Sequence, residues 1–256
     1  MAGSRPMAIA GEASKSYRIY CDSGLGHAAA VWVLSKLLLS RGAEGMAGDF
    51  LMQGSDRQAG RAIVDRPELT FPKDVAEWVR ECYSQAETIL EYGSGGSTVM
   101  ASEMTGKTIF SVESDPDWCQ DMQAYFKRVG TNSEVHLHYA DIGPVGKWGR
   151  PRSHKAWAQY HLYPNSVWDR SDFKAPDLVL VDGRFRTACF VTALLRTEKP
   201  VTVLFDDYVR RKAYHVVERF AEPVEIRNRM ARFDILPTEL PRHALSDILA
   251  TYTRPF

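Results

Sequence analysis

Apolar residues recur along most of the chain in two alternating rhythms, one of period two and one of period 3.6, and their alternation predicts a parallel sheet flanked by helices. Pro72 opens a helix at a position where its missing N–H is no loss, and Val75, Trp78, Val79 and Cys82 fall on one face. Thr88 to Tyr92 then reads as a strand and Ser97 to Met104 as a helix. Thr108 to Val112 reads as a strand, and Pro116 to Val129 as a helix with Trp118, Met122, Tyr125 and Phe126 on one side. Val135 to Ala140 is a third strand. Asp177 to Val181 is nearly all apolar, as a strand buried on both faces requires. A helix over Arg184 to Arg196, a strand over Val201 to Phe205 and a helix over Tyr214 to Phe220 follow. Val224 to Arg229 and Phe233 to Leu236 read as an edge hairpin. The pattern predicts an α/β, Rossmann-like, doubly wound sheet of seven strands, mostly parallel, with an antiparallel C-terminal strand.

Two segments break the rhythm. Residues 1–65 read as an N-terminal extension: a small, polar, disordered start, then one strand–loop–helix unit from Tyr17 to Leu39, then a linker. The Gly24-Leu25-Gly26-His27 loop of that unit is similar to the first unit of some nucleotide-sugar glycosyltransferases, but one unit cannot make such a domain. The second segment is an insertion over 142–174, within the main domain of 66–256. It carries Trp148, Trp157, Tyr160, Tyr163 and Trp168 and is too long for an ordinary connection. It reads either as a lid or binding loop, or as a surface subdomain with a small core of its own.

Composition narrows the partners. Lys plus Arg and Asp plus Glu both number 32, so the formal net charge is zero, which argues against a general nucleic-acid or anionic-membrane binder. No apolar run reaches the length of a membrane span, and no secretory signal is evident. The four cysteines are scattered without a CxxC pair, which fits a reducing, cytoplasmic compartment and no structural zinc. The expected partner is a small-molecule substrate; a homodimer is left open.

The most informative segment is Ile89-Leu90-Glu91-Tyr92-Gly93-Ser94-Gly95-Gly96-Ser97-Thr98, a strand running through glycines into a helix. Glycines let the backbone turn sharply and approach a ligand, and the helix start offers free N–H groups. Glu113 follows Gly93 by 20 residues, at the end of the next strand, where a carboxylate can accept hydrogen bonds from both hydroxyls of a ribose. A dinucleotide fingerprint would want a third glycine where Thr98 stands. The segment resembles instead the first motif of class I S-adenosylmethionine-dependent methyltransferases. The resemblance spans roughly 66–240 and departs from the common GxGxG at Gly95-Gly96-Ser97. It implies Glu91 beside the methionine amino group and Gly93, Ser94 and Gly95 beneath the cofactor. It further implies Glu113 on the ribose and Asp141 on the adenine. Ser97, Thr98 and Ser114 complete the expected cofactor set. LEYGSGGSTV, VDGRFR and LFDDY resemble more closely a bacterial methyltransferase-like group, a likeness that implies fold and cofactor but no particular substrate.

Asp182 ends the fourth strand, and Asp206 and Asp207 end the fifth, so all three should face the crevice at the carboxyl ends of the strands. Such a cluster repels itself unless a proton or cation intervenes, and Mg²⁺ takes oxygen ligands of this kind. The arrangement is similar to that of catechol O-methyltransferases, which implies metal-assisted O-methylation, although Asp207 stands where that type has Asn. On the other reading, one Asp caps a helix and another orients substrate. Arg184, Arg186, Arg210 and Arg211 would neutralise these carboxylates or bind an anionic substrate, with at least two of the four read as solvated arginines at helix starts. His161 is the candidate base, with His154 and His215 as alternatives; His136 and His138 read as structural. Asp182, Asp206 and His161 are thus the expected catalytic groups. The rival functions are an NAD-dependent oxidoreductase and a non-catalytic binding module on a methyltransferase fold.

Overall fold

The computed structural model describes residues 65–239 and 241–255. The strand–loop–helix unit expected from Tyr17 to Leu39 lies outside the described residues. Helix α1 (Lys73–Gln85) leads into strand β1 (Thr88–Tyr92), followed by α2 (Gly96–Ser102), β2 (Thr108–Glu113), α3 (Pro116–Val129) and β3 (Glu134–Tyr139). The insertion holds a two-stranded ribbon, β4 (Val145–Gly146) with β5 (Arg150–Pro151), then short 3₁₀ turns and a helical turn, α4 (Leu162–Asn165). Strand β6 (Leu178–Val181), α5 (Arg186–Arg196) and β7 (Val201–Phe205) resume the alternation. Hairpin β8 (Glu225–Arg227) and β9 (Met230–Ile235) and helix α6 (Leu245–Thr251) complete the chain.

The main sheet has the order β3-β2-β1-β6-β7-β9-β8. The first five strands are parallel, and β9 runs antiparallel to β7. Strand β1 sits in the middle and β6 joins its other side, so the topology reverses between them and a crevice opens at their carboxyl ends. The expected fold is the observed one.

Period-two alternation divides the sheet into two cores. Leu90, Tyr92, Val179, Val181 and Phe205 pack on one face beneath α5 and the insertion, while Ile89, Leu178, Leu180 and Leu204 pack on the other with Val75, Trp78 and Tyr83 of α1. Every residue of β1 and β6 is buried, which explains the unbroken apolar sequence of β6; β1 carries Thr88 and Glu91 among its apolar residues. Helix α3 has strong local signals. Asp115 caps it by accepting from the Asp117 and Trp118 N–H groups, Pro116 occupies its first turn, and Gly130 ends it at φ +76°.

Local details differ from expectation. Residues 212–219 form 3₁₀ rather than α turns. Helix α5 starts at Arg186, because Phe185 takes φ +51° and interrupts the turn from β6. Helix α6 was not expected. The insertion has no separate core: Tyr160, Tyr163, Val167 and Trp168 join the main-sheet core beneath α5, while Trp148 stands 75% exposed at its tip. None of the described helices is long and apolar enough to cross a membrane.

Candidate active site

A cleft of about 490 Å³ lies at the carboxyl ends of the parallel strands, within the ~300–1,000 Å³ usual for small-ligand sites. Its floor is the turn after β1, where Gly93, Ser94, Gly95, Gly96 and Ser97 all line the space. Gly93 takes φ +104°, and a Cβ there would lie 3.0 Å from the backbone of Gly183, so the turns after β1 and β6 touch directly. Gly95 has open space where a Cβ would be, so its backbone faces the cleft uncovered. At Gly96 a Cβ would strike the Glu68 carbonyl, because the segment Pro67–Phe71 crosses the turn and forms one wall. The Trp118 indole donates to the Ser94 carbonyl at 2.8 Å and holds the turn from the α3 side.

Glu113 faces this cleft from the end of β2. Its Oε1 accepts from the Ser114 and Asp115 N–H groups at 2.6 and 2.8 Å, which fixes the carboxylate in place. Burial pushes the Glu113 carboxyl up, and those backbone donors oppose the shift. Gly149 arches above it at φ +64°, where a Cβ would come within 3.1 Å of Oε1 and 2.5 Å of the Ser114 hydroxyl. The preceding Trp148 is also left-handed, at φ +64°, a cost of about 1–2 kcal/mol for a residue other than glycine. This two-residue kink is the turn between β4 and β5, and it lines the cleft together with Lys147.

Several expected cofactor residues sit elsewhere. Glu91 does not line the cleft; it is fully buried, accepting from the Tyr83 hydroxyl at 2.6 Å and Thr98 Oγ1 at 2.5 Å. Burial pushes its carboxyl up. Strand parity is the reason: Glu91 shares the face of Ile89, which α1 covers. Thr98 Oγ1 in turn accepts from the Gly95 N–H at 3.0 Å, so Glu91 and Thr98 brace the glycine turn from beneath. Ser114 is buried and donates to the Gly149 carbonyl. Asp141 is exposed, accepts from the Gly143 N–H, and does not reach the lining. Gly93, Ser94, Gly95, Ser97 and Glu113 are brought together as expected.

The three strand-end aspartates do converge, but around arginines. Arg186 is 5% exposed and its Nη2 lies 2.9 Å from Asp182 Oδ1, while Nη1 lies 3.8 and 3.7 Å from Asp206 and Asp207. Arg229, from the β8–β9 turn, donates to Asp206 at 2.8 Å, and Arg211 to Asp207 at 3.0 Å. Three guanidinium groups thus neutralise three carboxylates. The expected Mg²⁺ set of Asp182, Asp206 and Asp207 does not fit a divalent cation, because Arg186 occupies the position between the carboxylates. Among the described residues no group of three or more His, Cys, Asp or Glu is placed to hold a metal. Of the three, only Asp182 lines the cleft. Burial pushes its carboxyl up to about 7; Arg186 opposes the shift, and the Asp206 carboxylate adds to it.

The histidines fall outside. His161 is exposed at the start of α4 and lines no part of the cleft, so the expected base is misplaced. His154 is exposed, and His215 stacks on Tyr208. His136 pairs with Glu134 and Asp172, and His138 with Ser166, as structural histidines do. Leu69, Phe71, Trp118 and Lys147 line the cleft without having been singled out for it; Trp148 and Tyr163 reach it from the insertion, and Arg184 is one of the arginines expected either to neutralise the aspartates or to bind an anionic substrate.

A methyltransferase-like protein from Silicibacter pomeroyi DSS-3 is 46% identical, over 74% of this chain and 99% of that one, with a TM-score of 0.72. A putative O-methyltransferase from Klebsiella pneumoniae is 14% identical over 81% of this chain and 97% of that one, with a TM-score of 0.45. The O-methyltransferase TomG from Streptomyces achromogenes, in complex with SAM, is 16% identical over 67% and 83% respectively, with a TM-score of 0.45. Likeness as low as these last two carries no argument about the reaction. No protein-family model and no curated protein matches the chain.

Proposed function

The chain belongs to the class I S-adenosylmethionine-dependent methyltransferases, and from that premise we propose that it methylates a hydroxyl of a small or medium-sized acceptor in the cleft above β1 and β6. One observation carries the reading: the glycine turn and the fixed Glu113 carboxylate open on the same cleft at the topological switch point. When bound, the donor supplies a methyl group already made electrophilic by its sulfonium. The chain's task is alignment, exclusion of water and removal of a proton.

Gly93–Ser97 and Glu113 would hold the donor, the turn at its amino-acid end and the carboxylate at its ribose. The turn keeps its shape through Glu91, Thr98 and Trp118. Trp148 and Gly149 would cover the site from the ribbon. Asp182 is the residue that would take the acceptor's proton, since a carboxyl raised to about 7 is poised for transfer near neutral pH. No step runs through a metal, because the aspartate set does not fit one.

Calorimetric titration with S-adenosylhomocysteine tests the donor assignment. One-to-one binding is expected, and absence of heat at high protein concentration would sink it. Isotope-labelled methyl transfer to hydroxylated acceptors, with D182N as control, tests the acceptor atom. Label recovered only on nitrogen or carbon overturns O-methylation.

A further inference from the structure

The cleft contains a cation that the donor's nucleoside does not explain. Arg184 lines it, two residues past Asp182. Its Nε is buried with no hydrogen-bond partner, and no carboxylate lies within 4 Å of its guanidinium among the described residues. Arg186, Arg211 and Arg229 are all ion-paired. The two neighbouring arginines part because Phe185, at φ +51°, turns the chain between them. Arg186 goes to the aspartates, Phe185 packs on Tyr160 and Tyr163, and Arg184 is left to the cleft. The backbone of Arg184 is held at both ends: its N–H donates to the Tyr163 hydroxyl at 3.3 Å and its carbonyl accepts from Cys189 Sγ at 3.3 Å.

The cleft's carboxylates are mostly spoken for. Glu113 and Asp115 accept from backbone N–H groups and Asp182 from Arg186, while Glu68 is exposed. A partly buried guanidinium with an orphan donor is costly unless something pairs with it. Its planar fork matches a carboxylate in bidentate geometry.

We propose that Arg184 is a carboxylate-binding residue of this cleft. The carboxylate comes either from an anionic acceptor or from the amino-acid end of the donor. The inference rests on the methyl-donor reading for its second source only. The test compares wild type with R184M by calorimetry, using three probes: S-adenosylhomocysteine, 5′-methylthioadenosine (the same nucleoside without an amino-acid end), and benzoate with and without S-adenosylhomocysteine. The expected result is at least a tenfold loss for one carboxylate probe, with 5′-methylthioadenosine unchanged. Loss confined to S-adenosylhomocysteine assigns the group to the donor; loss of benzoate assigns it to the acceptor. If R184M binds both carboxylates as wild type does, the proposal is overturned. It is equally overturned if 5′-methylthioadenosine weakens in step, since Arg184 would then act through the fold. If wild type binds neither nucleoside but binds benzoate through Arg184, the donor reading fails and this one stands.

Discussion

Replacing Glu113 by Gln separates the proposed ribose contact from the fold. In the wild type, Oε1 takes two backbone N–H groups at 2.6 and 2.8 Å, and the residue is 8% exposed. A glutamine keeps an amide oxygen in that place, so Ser114 and Asp115 stay satisfied. What changes is the other oxygen, which becomes an NH₂ and loses its charge. Charge-assisted hydrogen bonds are about twice as strong as neutral ones, so the substitution should remove about 1–3 kcal/mol of ligand binding. That is about 5- to 150-fold in Kd for S-adenosylhomocysteine. The melting temperature should stay close to wild type. E113A, by contrast, strips acceptors from two backbone donors and should also destabilise the fold by about 1–3 kcal/mol per donor left buried. Proton linkage gives a second readout. Burial raises the Glu113 carboxyl, so lowering the pH protonates it before a solvent-exposed glutamate; wild-type affinity should fall with pH while that of E113Q stays flat. Calorimetry with parallel thermal melts measures all of this. An E113Q variant that binds within twofold of wild type refutes the assignment of this carboxylate to the ribose.

Three further outcomes follow from the site. R186M leaves Asp182, Asp206 and Asp207 without their shared cation and should cost about 3–5 kcal/mol in urea unfolding; a loss below about 1 kcal/mol counts against the neutralising role. Asp182 is raised to about 7 in the fold against about 3.9 unfolded, so the native state holds the extra proton between those values. Stability from this group is therefore present at low pH and lost as pH rises through about 7. D182N should flatten that part of the melting curve against pH, and an unchanged slope would contradict the shift. G149A must take φ +64° with a methyl 2.5 Å from the Ser114 hydroxyl; it should weaken S-adenosylhomocysteine binding more than it lowers the melting temperature, and the reverse order would mark the glycine as merely structural.

The sheet was legible because its central strands are buried on both faces and helices α1 and α3 on one. Strand β1 and helix α3 begin and end where periodicity and capping residues predict. The glycine turn and Glu113 were legible for the same reason: strand ends locate them. Glu91 was misread although its parity was available, since a residue between Leu90 and Tyr92 faces away from theirs. The aspartates were correctly brought together, but their partner Arg229 comes from a hairpin turn more than 20 residues later, which no local pattern announces. Helix α6 is seven residues long with no side-chain cap, too short for a periodic signal. The insertion has aromatic density without a period, so its division between core and cleft rim emerges only from packing.

The contact between Gly93 and Gly183 leaves no slack where the two central strands end. At Gly183 a methyl group would fall 2.0 Å from the Tyr163 hydroxyl and 2.9 Å from the Gly93 nitrogen. The floor of the cleft is therefore closed where the two turns meet, with no room for a side chain on either glycine. Extra room for a bulkier occupant would have to come from the margins of the cleft, at the ribbon tip and the strap before α1, and not from this seam.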